Sequence, residues 1–168
     1  MLVEVNLARL DLCPLSHEDH IEVLQDLAYA FQLCYEQQRN VSDLNKVIEI
    51  RQIRLDLRPL GHSEHVVALQ EVGHSLQAHY TIQRNNENLN RLIKLNQRLL
   101  DLCPSGHSGH PHALAQYTTS LKEHYNIQGD IADLDRAIEM EHEVLNLVPE
   151  SHPHYDIALN NFAISIQE

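Results

Sequence analysis

The chain has 168 residues, 43% apolar and 21% charged, enough apolar side chain to bury a core and too much for a disordered tail. Twelve basic against twenty-four acidic residues leave a formal charge of −12, which repels phosphate backbones and anionic headgroups and argues against nucleic acid or a membrane surface as partner. No apolar run approaches the roughly 18 residues of a membrane span, the start MLVEVNLARLDL lacks the zones of a signal peptide, and the odd set Cys13, Cys34 and Cys103 reads as free thiols of a cytoplasmic chain.

The elements repeat. Pro14, Pro59, Pro104 and Pro149 stand 45 residues apart, preceded by Leu12, Leu57, Leu102 and Leu147, and the same shift carries His17 onto His62, His107 and His152. Residues 1–13 are the tail of a helix of type B, because Val3 falls in register with Ile48 of the next unit. Residues 14–58 form the first full unit. Its helix A carries Leu24, Leu27, Ala28 and Phe31 on one face, its helix B carries Leu44, Val47, Ile48 and Leu55, and Arg39-Asn40 supplies the left-handed stop between them. Residues 59–103 repeat the pattern with Leu69, Val72, Gly73 and Leu76, the stop Arg84-Asn85, and Leu89, Leu92, Ile93 and Leu100. Residues 104–148 do so again, with Gly129-Asp130 as the stop, and residues 149–168 hold the A helix of a fourth unit. The third apolar position of each A helix is small (Ala28, Gly73, Thr118, Ala163), as expected where a neighbouring helix comes close. Ser63 and Ser108 are the expected caps of the A helices that follow them. The fold class is therefore all-α: antiparallel helix pairs, three full repeats and two half repeats, each burying its apolar face against the next.

The stretch Ala158-Leu159-Asn160-Asn161-Phe162-Ala163 followed by Ile166 resembles the core of helix A in tetratricopeptide repeats of the kinesin-light-chain kind. Asp133-Leu134-Asp135-Arg136-Ala137-Ile138 is similar to the opening of their helix B, and Leu100-Asp101-Leu102-Cys103-Pro104-Ser105-Gly106-His107 resembles the long-unit version found in large fungal multidomain proteins. The resemblance implies a right-handed α-solenoid acting as a protein-protein interaction scaffold, with a peptide or protein held in a concave groove lined by the A helices. Its groove positions fall here on Gln25, Tyr29, Gln32, Gln70, His74, Gln77, Thr119, Lys122 and Asn160. Units one and two carry Gln25-Asp26 and Gln70-Glu71 in place of the paired asparagines, and Lys122 alone stands on the groove side of the lysine and asparagine set that chaperone-binding relatives use for an acidic C-terminus. A C-terminal acidic peptide is therefore not the expected ligand. The alternative that the same resemblance implies is a regulatory or sensor arm of a larger protein with a caspase-like peptidase or nucleotide-binding switch domain.

Cys13-x-x-x-His17-x-x-His20 and Cys103-x-x-x-His107-x-x-His110 combine a thiolate with two imidazoles, a zinc-like set that makes a zinc-binding repeat the minor alternative. Unit two has Arg58 at the cysteine position, and unit four has Val148 and Tyr155. The repeat period itself accounts for the spacing, so His17, His62, His107 and His152 are assigned to the turn before helix A, and no metal or cofactor is expected. Cys13 and Cys103 end B helices as small apolar residues. The sequence has no phosphate-binding loop, nucleophile elbow or H-E-x-x-H pair, and the expectation is a protein without catalytic activity. Glu18, Asp19 and Glu22 are a charge run at a helix start, where the helix dipole favours acid. The register at both ends suggests a piece of a longer array, and implies that the half units of two copies could meet head to tail.

Overall fold

A computed structural model of the chain describes residues 1–15, 17, 19–147 and 155–167. Among these residues the chain is all-helical, with eight helices and no strand: α1 (Leu2–Leu12), α2 (His20–Gln38), α3 (Val41–Asp56), α4 (His65–Gln83), α5 (Asn86–Leu102), α6 (His110–Gln128), α7 (Ile131–Leu147) and α8 (Tyr155–Ser165). The A-type helices α2, α4 and α6 begin at His20, His65 and His110 and end at Gln38, Gln83 and Gln128, so the sequence period is also the structural period. Pro149, His152 and Val148, assigned above to the last turn, lie outside the described residues, as do Glu18 and Glu168.

Local chemistry sets each boundary. Arg39, Arg84 and Gly129 close the A helices in the left-handed conformation, with φ of 54°, 49° and 70°, and their amides return to the carbonyls of Tyr35, Tyr80 and Tyr125. At the first two stops a side chain carries the steric cost of positive φ, while Gly129 has no Cβ to clash. The arginines compensate by lying over the rings of Tyr35 and Tyr80, at 5.6 and 5.3 Å. The next residue caps the B helix: Asn40, Asn85 and Asp130 each accept the amide two residues on, from Ser42, Glu87 and Ala132, at 3.1, 2.8 and 3.0 Å. The asparagine expected to share the left-handed stop thus serves as the cap.

The turn before each A helix is built differently from the expectation. Ser63 and Ser108 do not cap; the N-cap positions are Glu64 and Gly109, and neither makes a side-chain cap bond. The ring Nδ1 of His62 and His107 takes the amide of those residues instead, at 3.1 and 3.0 Å, as His17 does for Asp19 at 3.2 Å. The physical reason is reach: an imidazole nitrogen at i accepts from the amide at i+2 in the same way that an asparagine oxygen does in an Asx turn. The proline carbonyl then accepts the histidine amide (Pro14 to His17, Pro59 to His62, Pro104 to His107) at 2.8 to 3.0 Å. Gly61 and Gly106, at φ 94° and 92°, supply the positive φ that the third residue of this turn requires.

The described chain divides into two compact units, residues 1–88 and 89–168, with the division in the first turn of α5. In unit 1 each helix packs on its sequence neighbour, α1 on α2, α2 on α3 and α3 on α4. Its core joins Leu24, Leu27 and Ala28 of α2 to Ile50 of α3, with Val3 and Leu10 of α1 packed alongside. In unit 2, α6 packs on α7 and α7 on α8. There Tyr117 and Leu121 of α6 meet Ala137 of α7, flanked by Ile93 and Leu100 of α5 and Met140 of α7. Each fully buried leucine in these cores contributes about 1.5–3 kcal/mol relative to exposure.

Candidate functional site

One face position of the B helices carries no aliphatic residue in any repeat: Asn6 and Arg51 in unit 1, Asn96 and Glu141 in unit 2. Asn6, Asn96 and Glu141 are buried, and all four are engaged. Asn6 accepts from Arg9 at 3.0 Å. Arg51 donates to Gln32 Oε1 at 2.8 Å, Ser75 Oγ at 2.6 Å and the Glu71 carbonyl at 3.3 Å. Asn96 donates to the Gln116 carbonyl at 3.1 Å and Ser120 Oγ at 3.4 Å. Glu141 accepts from Lys122 Nζ at 3.1 Å, and the same ammonium donates to Ser165 Oγ at 2.7 Å. Burial holds the Arg51 guanidinium below its ordinary value; Glu71 opposes that shift and Arg54 adds to it. The small hydroxyls Ser75, Ser120 and Ser165, all buried, occupy one repeat position of the A helices; Ser75 accepts from Arg51, Ser120 from Asn96 and Ser165 from Lys122.

Each unit has a cavity lined by one of these residues. In unit 1 a cavity of about 390 Å3 lies among α2, α3 and α4, with Gln32, Glu36, Arg51, Glu71 and His74 in its lining. In unit 2 a cavity of about 480 Å3 lies among α6, α7 and α8, with Thr119, Lys122, Asn126, Glu141 and Asn161 in its lining. Gln32 and Lys122, Glu36 and Asn126, Arg51 and Glu141, and Glu71 and Asn161 are pairs at the same repeat position two repeats apart. Both units therefore open a cavity at the same place in the repeat.

Of the groove positions expected from the sequence, Gln32, His74, Thr119 and Lys122 line these cavities. Gln25, Tyr29, Gln70, Gln77 and Asn160 are not in either lining. Tyr29 is 59% exposed on α2. Gln25 is also exposed, its Oε1 accepting from Arg54 at 3.0 Å, and on α8 the lining residues are Ile157, Ala158 and Asn161 rather than Asn160. The floor residues Arg51 and Glu141 lie on B helices, outside the A-helix positions that the resemblance implies. The signal was present: a polar residue recurring between Ile48 and Leu55 on an otherwise apolar face.

The histidines of the zinc-like motif are bound to backbone. His20, His65 and His110 are buried, and the Nδ1–H of each donates to the carbonyl seven residues back, on Cys13, Arg58 and Cys103, at 2.7, 2.5 and 2.6 Å. Because the acceptor is a main-chain carbonyl, arginine serves at position 58 as well as cysteine does elsewhere. Cys103 is fully buried, and burial raises its thiol above the ordinary range, which favours the protonated, unreactive form. Among the described residues no set of three or more His, Cys, Asp or Glu is placed to hold a metal ion, and no helix is long and apolar enough to cross a membrane.

No family model, curated protein or solved structure matches this chain.

Proposed function

We propose that the chain is a stretch of a tetratricopeptide-type right-handed α-solenoid and that it acts as a protein-protein interaction scaffold, holding an extended segment of a partner against its A helices. The observation that carries the reading is the pair of cavities at equivalent repeat positions, each between successive A helices above a B-helix floor. A cavity of a few hundred Å3 with apolar walls and a few fixed polar groups suits a side chain of a bound polypeptide. Exposed amides such as Gln25 and Asn160 can pair with the backbone of that segment, each bond contributing about 0.5–1.5 kcal/mol net.

The test is capture of a binding partner by this chain and by a triple variant, Tyr29→Ala, His74→Ala and Thr119→Ala. These residues are exposed on A helices, so the fold is expected to stand, as circular dichroism would verify. Lys122 is left intact because its ammonium holds a buried carboxylate. Loss of the partner supports the groove; full retention by the folded triple variant overturns it.

A further inference from the structure

Two apolar faces are open in this structure, and the repeat itself shows what fits them. Leu2 and Val5 of α1, and Leu159 and Ile166 on and just after α8, are 44 to 58% exposed. At the same repeat positions Val47, Ile50, Leu69 and Leu121 are at most 7% exposed. An apolar side chain that is open where its repeat equivalents are buried marks an uncovered contact rather than an ordinary solvated surface.

That contact is the one between the A and B helices of a single repeat. In unit 1, Ile50 of α3 packs with Leu24, Leu27 and Ala28 of α2; carried along the 45-residue period, these positions become Val5 on the B side and Leu159, Phe162 and Ala163 on the A side. In unit 2, Tyr117 and Leu121 of α6 pack with Ala137 and Met140 of α7, positions that become Phe162 and Ile166 on the A side and Leu2 and Val5 on the B side. Two separate cores therefore give the same pairing: α8 presents the face of an A helix that receives a B helix, and α1 the face of a B helix that receives an A helix. Where unit 2 pairs Lys122 with Glu141, the same shift brings Gln167 to Asn6, two neutral amides, so the pairing strands no charge.

We propose that α8 of one copy packs against α1 of a second copy of this chain and rebuilds the A-to-B contact between molecules. The occupant is a second copy because the open faces complement each other and not themselves: the helix pairs that pack inside the two units, α2 on α3 and α6 on α7 among them, join an A helix to a B helix. Such a contact is heterologous, so it propagates head to tail instead of ending at a symmetric pair. This self-association goes beyond the groove and does not depend on it, since a monomer can still hold a partner there.

The test is sedimentation velocity on the whole chain from low micromolar to several hundred micromolar, at physiological salt, which screens the formal charge of −12 on each copy. Wild type is expected to rise with concentration from the 19.3 kDa of one chain to twice that or more. Val5→Glu and Ile166→Glu each put a charge on one face at an exposed position, so the fold is expected to stand, as circular dichroism would verify, and each variant alone should stay monomeric. Mixed in equal amounts, the two should form a one-to-one complex and go no further, because each supplies the face that the other has lost. Should either variant fail to fold, Leu2→Glu or Leu159→Glu replaces it on the same face. Wild type that stays monomeric throughout would overturn the proposal and leave these faces to a helix of another protein. A folded single variant that associates as wild type does, or a folded mixture that stays monomeric, would overturn it equally.

Discussion

The histidine chemistry is decided atom by atom. His17, His62 and His107 are exposed and use Nδ1 as acceptor for a main-chain amide, whereas His20, His65 and His110 are buried and use Nδ1–H as donor to a main-chain carbonyl. The buried members are not equivalent in turn, since His110 Nε2 also faces Glu143 Oε1 at 3.0 Å, while His65 Nε2 is buried with no partner. His110→Ala is therefore expected to cost about 2–3 kcal/mol and His65→Ala about 1–2 kcal/mol in urea unfolding. His62→Asn, which keeps an acceptor at the turn, should be close to neutral. A second residue-scale device is the ion pair between B and A helices, Arg9–Asp26 at 2.6 Å and Arg54–Glu71 at 2.5 Å. At the equivalent positions of the next repeat both partners change together, to the buried Leu99 and to Gln116. Arg54→Leu alone would leave Glu71 without its ion-pair partner, but Arg54→Leu with Glu71→Gln copies the neighbouring solution. A double-mutant cycle should give a coupling of about 1–3 kcal/mol, with the double variant more stable than Arg54→Leu; additive effects would count against a shared pair.

At the scale of the helix, the boundaries are local and were legible. The left-handed stops at Arg39, Arg84 and Gly129 and the caps at Asn40, Asn85 and Asp130 depend only on residues within one turn. Gly129→Ala should destabilise by about 1–2 kcal/mol, because it adds a Cβ at positive φ without the ring contact that Arg39 and Arg84 have; a thermal melt unchanged from wild type would contradict this. The start of each A helix was less legible. Ser63 and Ser108 match the usual cap preference, but the histidine one residue earlier has an acceptor that takes the amide of Glu64 or Gly109 and sets the helix start there, and preference tables rank residues without seeing that geometry.

For the whole molecule, charge gives the clearest expectation. The formal charge of −12 and the isoelectric point of about 5.4 imply that repulsion between copies fades as acid titrates the thirteen histidines and the carboxylates. Light scattering should therefore rise between pH 7.5 and 5.5 at low salt; a flat profile would mean that charge is not what keeps the chain dispersed. The period of 45 residues, the helical spacing of the apolar face and the turn residues are written in the sequence, since each depends on neighbours a few positions away. What the polar residues of the cavity floors pair with is not written there. Arg51 meets Gln32 and Ser75, Glu141 meets Lys122, and Lys122 meets Ser165, across separations of 19 to 43 residues. Helical periodicity assigns a residue to a face but not to the group opposite it, and that pairing exists only once the helices have packed.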